Sequence, residues 1–400
     1  MYYKIINKKK KIGTLMADLF GQAMWSPFLL FRKRCDASFH QDLHRILVIR
    51  TAYVGDVVMT LPLLRPLKEM FPKARISFLT TSNAGEVLEN NPFVDEILLY
   101  DAFWFYPNGK KKAIVDYLRI LRVIRSRAYD LVIEARGDIR DIFLLAYLSG
   151  GKKRVSYGVG GGGFLLTHVV PFKSIKHKIR YHLDMATFLG CKADAVEWNM
   201  YLGKGEEHRA EEILESIGVT FERPLVAVHP GARKELKRWS SEGYALVADR
   251  LAKELDVSIV ILGGPDEVKL AERVERLMRL EAFMLAGKTS LREMSAILKM
   301  CDLFICNDSA PLHIASMMRV PTVAVFGPSK REETGPYGNI HAVVEKEFEC
   351  RYTCDEDVCH HIPYNACLKT IAPEDVFVPA CDILMKRKAY GVSDTESSSE

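Results

Sequence analysis

The sequence has no apolar run near its start that could cross a bilayer. The charge-free stretch Leu19–Phe31 covers 13 residues, and a spanning helix needs about 20. A secretory leader is only weakly matched. Asp18 stands where an apolar core should be, and no small-residue cleavage site follows. There is no strand followed by GxGxxG and then a helix, which ranks a nicotinamide dehydrogenase last among the readings. The run Gly158–Gly163 contains that spacing, but it follows a short strand and opens no helix, so it reads as a flexible loop. Positive charge is scarce outside the first residues. Positions 1–45 hold nine Lys/Arg against three Asp, about +6 of a chain total of +5, which leaves residues 46–400 near −1. A body of that balance offers no footprint for nucleic acid.

What is present is ordinary for a folded protein: 48% hydrophobic and 27% charged residues over 400 positions, a length that suits two domains. The basic start has its own pattern. Ile12, Leu15, Met16, Leu19, Phe20 and Ala23 share one face of a helix, Lys8–Lys11 precede it, and Trp25, Phe28 and Phe31 follow before Arg32–Arg34. Basic flanks around an aromatic-rich apolar face suit an anionic membrane surface, contacted through residues 1–40. The alternative is a helix packed on the protein itself.

The rest alternates strand and helix patterns in two halves, the mark of α/β domains with doubly wound parallel sheets. The first half reads as strands at 45–50, 74–80, 96–100, 130–135 and 154–157, with helices at 57–71, 114–127 and 139–148. The second has strands at 225–229, 257–263, 282–285, 303–307 and 322–327. The expected division is a basic segment 1–43, a first domain 44–205, a second domain 206–385 and a disordered Ser/Glu-rich tail 386–400.

Open parallel sheets bind ligands beyond the carboxyl ends of their strands, so the polar residues there are the candidates. After the first strand, Gly55 permits a tight turn, and Asp56 is either a helix cap or a general base. After 225–229 come Gly231, Arg233 and Lys237, cations suited to a diphosphate or else a plain solvated charge run. Gly263 and Gly264 allow close backbone approach, and Glu267 could accept from ribose hydroxyls or simply favour a helix start. Asp308, Ser309 and Ala310 open a helix whose N–H groups suit an anion, with capping as the bland alternative; His313 is a ligand or a packed core residue.

Nine cysteines are present, four of them close in sequence: Cys350, Cys354, Cys359 and Cys367, with His360 and His361 among them. The paired CxxC of a structural zinc site is absent, so the expectation is a possible zinc site or else free thiols in a reducing cytosol.

Together, RILVIRTAYVGDVVMTLPLLRPLKEMFP, HPGARKELKRW and CDLFICNDSAPLHIASMMRVPTVAVFGPS, in this order, resemble glycosyltransferase family 9, the bacterial ADP-heptose:lipopolysaccharide heptosyltransferases. The likeness spans about residues 44–380. It implies a GT-B fold, with two Rossmann-like domains facing across a cleft, acceptor in the first and donor in the second. It also implies a single inverting displacement without a required cofactor. By this resemblance Asp56 is the general base, Lys237 meets the diphosphate, Glu267 the ribose, and the backbone at Thr289 the adenine. Asp308–Ala310 lie beside phosphate and sugar, and His313 matches the family's downstream histidine. Ser309 and Ala310 depart from the family's usual Thr-Gly. The implied partners are a nucleotide sugar and a lipid-linked saccharide, with the enzyme peripheral on the cytoplasmic face of the inner membrane. The alternatives are a transferase for another nucleotide sugar, a GT-B-like sugar-nucleotide epimerase, or a non-catalytic binding protein.

Overall fold

A computed structural model describes residues 8–30, 39, 43–105, 110–193, 198–354 and 356–390. The tail expected to be disordered over 386–400 is helical at its start, since 386–390 complete the helix Pro373–Tyr390; residues 391–400 lie outside the described residues, as does the structure around Cys35. The chain divides into two compact units, Met1–Tyr201 and Leu202–Glu400.

The first unit carries a sheet of β1 (Arg45–Arg50), β2 (Arg75–Thr80), β3 (Glu96–Leu99), β4 (Leu131–Glu134), β5 (Lys153–Ser156) and β6 (His168–Val169). The second carries β7 (Leu225–His229), β8 (Ser258–Ile261), β9 (Phe283–Met284), β10 (Leu303–Asn307), β11 (Thr322–Val325) and β12 (His341–Val344). The orders are β3-β2-β1-β4-β5-β6 and β12-β11-β10-β7-β8-β9, with every pairing parallel.

Central strands of a parallel sheet are covered on both faces and so read as unbroken apolar runs. Ile46–Ile49 of β1, Val226–Val228 of β7 and Phe304–Cys306 of β10 are all buried. In the first unit Leu47, Ile49 and Val132 meet Ile120 and Ile124 of the helix Lys110–Ser126. In the second, Ile259, Ile305 and Val323 share a core with Ala248 and Leu251 of the helix Ser241–Leu255. Val376, Phe377, Ala380 and Ile383 of the last helix, Pro373–Tyr390, join that core.

Several elements differ from expectation. The helix expected over 57–71 is three pieces: Val54–Val58, a single turn Leu61–Leu63, and Leu64–Met70. Pro62 has no N–H to give the carbonyl four residues back, which ends the first piece. The helix expected over 139–148 opens as a short α turn and widens to a π turn over Ile142–Tyr147. The edge strands β6 and β12 were not expected, and neither were the helices Lys178–Phe188, Lys204–Ser216 and Pro373–Tyr390.

Trp239 anchors the loop after β7. Its indole N–H donates to Ile371 O at 3.1 Å, and its ring lies so close to Gly243 that a Cβ there would overlap it. Alanine in a helix normally gains about 1 kcal/mol over glycine. Overpacking against a rigid buried ring costs about 1–3 kcal/mol. Gly243→Ala should therefore lower the melting temperature by several degrees; an unchanged or higher value would show that the ring can yield.

Candidate active site

Each sheet reverses its winding at its centre, between β1 and β4 in one unit and between β7 and β10 in the other. The strand ends diverge there and leave a polar crevice. The candidate residues gather at these two points.

In the first unit Arg50, at the buried end of β1, donates to Ala135 O at 2.8 Å and to Asp56 Oδ1 at 3.0 Å. Lys178, from the start of its helix, donates to the same oxygen at 3.1 Å. Neither the capping role nor a cap hydrogen bond falls to Asp56: Tyr53 holds the N-cap position and no side chain caps the helix. Among the described residues nothing donates to Asp56 Oδ2, and the side chain is one-fifth exposed. Burial pushes this carboxyl up, but the charges of Lys178, Arg50 and Arg136 outweigh it and hold the pKa well below the carboxylate range. Behind it, Thr60 donates to Asp56 O at 2.8 Å and lies 3.2 Å from Nε2 of the buried His182.

The end of β4 supplies a second set of acids. Glu134 accepts from Ser156 Oγ (2.6 Å), Gly137 N (2.7 Å) and Arg136 N (3.0 Å). Asp141 accepts from Thr51 Oγ1 (3.0 Å) and Trp104 Nε1 (2.9 Å). Burial pushes both carboxyls up, helped by Asp141 beside Glu134 and by Asp138 beside Asp141.

In the second unit Asn307, fully buried at the end of β10, accepts from Trp239 N at 2.9 Å and donates to Pro230 O at 2.8 Å. It thereby fastens the loop that carries Lys237. Lys237 lies between two carboxylates, Asp308 at 2.7 Å and Glu356 at 2.8 Å. Burial lowers its pKa, but these two charges outweigh it and raise the value to about 12. Lys234 pairs with Asp357 at 2.9 Å. Arg233 is exposed on the same loop.

Glu267 accepts from Gly264 N at 2.9 Å and lies 3.2 Å from His229 Nε2. Burial opposes its ionisation, but the histidine contact and backbone donor bring its pKa down to about 2. A Cβ on Gly231 would strike that carboxylate, so glycine is required there for Glu267 to take this place. Gly287 N donates to Gly263 O at 2.9 Å, which brings the loop before Thr289 beside Gly263 and Gly264. Ser309 stands at the N-cap of the helix Ala310–Met317 but makes no capping bond, and Asp308 is turned to Lys237. His313 is buried next to Asp308.

The four cysteines line one small cavity of about 20 Å³ with Leu236, Pro328 and His361. Among the described residues, however, no three His, Cys, Asp or Glu side chains stand close enough to hold a metal ion. The donor set has the right chemistry for zinc but not the convergence. Sequence patterns brought out Asp56, Lys237, Glu267 and Asp308. They did not bring out Arg50, Lys178, His182, His229, Asn307 or Glu356, whose partners lie far along the chain or in other loops.

A carboxyl whose pKa rises on folding stabilises the fold below its unfolded value, near 4.3, and loses that contribution as pH rises through the folded value. Glu134→Gln should therefore gain in melting temperature over the parent between about pH 5 and about pH 9. A difference independent of pH would show that Glu134 stays ionised.

The family model described as glycosyltransferase family 9 (heptosyltransferase) matches residues 117–362. The chain is 27% identical over 296 residues to lipopolysaccharide heptosyltransferase 3 of Escherichia coli, covering 71% of this chain and 84% of the relative. It is 23% identical over 360 residues to lipooligosaccharide heptosyltransferase 2 of Campylobacter jejuni, covering 85% and 98%. Among solved structures, a family 9 glycosyl transferase from Veillonella parvula superposes with a TM-score of 0.75 at 24% identity, over 88% of this chain and all of that one. The E. coli ADP-heptose lps heptosyltransferase II gives 0.69 at 21%, over 86% and 99%. These structural likenesses show the shared GT-B fold of two Rossmann-like units. With the family match spanning more than half its length, the chain is a glycosyltransferase and belongs to family 9.

Proposed function

We propose that this enzyme is an inverting transferase that moves a heptose from ADP-heptose to a lipopolysaccharide-core acceptor, with Asp56 as general base. The observation that carries the proposal is the ionised Asp56, held through one oxygen by Arg50 and Lys178. The names of the E. coli relative and of the heptosyltransferase II structure support the acceptor and donor classes. The acceptor hydroxyl oxygen bonds to the anomeric carbon as that carbon's bond to the diphosphate oxygen breaks. The hydroxyl proton passes to Asp56 Oδ2, and the electron pair leaves with ADP. A strongly depressed pKa makes Asp56 a weak base in the ground state. It becomes adequate because the hydroxyl grows acidic only as the new bond forms.

No metal or organic cofactor enters this scheme. Lys237 and the N–H groups at the start of Ala310–Met317 meet the departing charge. Glu267 takes ribose hydroxyls, and the backbone at Thr289 takes adenine. Asp308, Ser309 and Ala310 border the phosphate and sugar, with Arg233 as a further cation and His313 behind them. A lipid-linked acceptor sets the work at the cytoplasmic face of the inner membrane, with the protein peripheral. Among the described residues no helix is long and apolar enough to cross a membrane.

Two outcomes test the scheme. With ADP-heptose and a heptose-deficient lipid acceptor, Asp56→Ala should lower kcat by about 10²- to 10⁴-fold; unchanged turnover would remove Asp56 as the base. On the donor side a diphosphate must take the place of Glu356 at Lys237. Glu356→Gln should therefore tighten ADP binding about fivefold, roughly 1 kcal/mol, as read by titration calorimetry. Weaker binding in that variant would mean that Glu356 helps hold the nucleotide.

A further inference from the structure

Over residues 11–24 the helix Lys8–Leu30 meets the protein through polar and small residues, while its large apolar side chains there are exposed. Asp18 is 1% exposed, and its Oδ1 accepts from Gly162 N at 2.7 Å. Gly21 lies against the Phe164 ring, where a Cβ would overlap, and Thr14 lies equally close to Gly161. Positions 14, 18 and 21 form one stripe at helical spacing. The buried hydrogen bond fixes the rotation of the helix about its axis. The opposite face carries Ile12, Leu15, Met16, Leu19, Phe20 and Met24, all exposed, with Phe20 at 70% and Met16 at 64%.

This arrangement turns a contiguous apolar stripe to solvent, which a soluble surface rarely keeps without a partner. The charge around it selects the partner. Lys8–Lys11 make up the first helical turn, and Arg32, Lys33 and Arg34 follow its end in sequence, whereas residues 46–400 sum to about −1. An apolar face between two basic clusters matches the depth profile of an anionic bilayer, with acyl chains below and charged headgroups beside them. A second copy of the chain would bring like charges together. We propose that the helix Lys8–Leu30 docks on anionic lipid through its Ile12–Met24 face while Asp18 latches it to the enzyme.

The glycine run acquires a structural reason in this arrangement. Gly162 receives the latch, while Gly160 N donates to Gly137 O at 2.8 Å, where a side chain at Gly160 would collide. The loop is thus pressed between the docking helix and the residues after β4, next to Arg136, whose charge acts on Asp56. A lipid-bound helix would hold that loop near the lipid surface. This last consequence rests on the proposed lipid-linked acceptor; the docking itself does not.

The test needs no substrate, so its failure is separate from failure of the transferase reading. The full-length protein is sedimented with vesicles containing phosphatidylglycerol and with purely zwitterionic ones, and its oligomeric state is measured without lipid. Met16→Asp/Phe20→Asp changes only exposed side chains and should leave the melting temperature unchanged. The parent should bind the anionic vesicles, less so at high salt, and the double variant should partition at least about tenfold less. Equal partitioning of parent and variant would overturn the proposal. So would binding by neither, or a parent dimer that the variant converts to monomer, since a second copy would then own the face.

Discussion

A parallel sheet that winds outward from its middle has one place where two neighbouring strand ends are not bridged by the same loop. Everything chemical in this protein depends on what stabilises that gap. In the first unit Arg50 spans it, reaching from the end of β1 to Ala135 after β4. In the second Asn307 spans it, joining the end of β10 to the loop after β7. Both are buried polar side chains on otherwise apolar strands. Each is tolerated because its main polar groups find partners.

The two gaps hold opposite charge arrangements. In one, a single carboxylate, Asp56, is held by two cations. In the other, a single cation, Lys237, is held by two carboxylates. In the proposed transfer the group that receives a proton must first be ionised, and Arg50 and Lys178 ensure this for Asp56 at some loss of basicity. In the same proposal the cation that receives a phosphate must stay charged before the phosphate arrives. Asp308 and Glu356 do this, and the exposed one of the pair is the one a ligand can replace: Asp308 is 5% exposed and Glu356 29%.

Strand cores were legible because burial on both faces leaves a continuous apolar run, and β1, β7 and β10 begin and end where the pattern says. The edges were not. β6 has only two paired residues and β12 only one neighbouring strand, so neither needs a long apolar run. The candidate acids and cations were legible where they follow a strand. Their partners were not, because Lys178 reaches Asp56 across 122 positions and Glu356 sits in the cysteine segment. Reading Asp56 as a cap was reasonable by composition. Only its geometry, with two cations on one oxygen and Tyr53 at the cap, removes that role. The glycine run was legible as a loop, but the reason for so many glycines lies in two backbones approaching from either side.

The cysteine segment shows how a structural feature can bear on chemistry without touching it. Cys350, Cys354 and Cys359 bracket Glu356 and Asp357, and Leu236, next to Lys237, forms part of the same cavity wall. Burial pushes the Cys367 thiol up to about 11, and the neighbouring thiols add to the shift, so it stays a neutral packing group at ordinary pH. A thiolate there would add negative charge to a segment that already presents two carboxylates to two lysines. A neutral Cys367 leaves the balance at Lys234 and Lys237 to Asp308, Glu356 and Asp357.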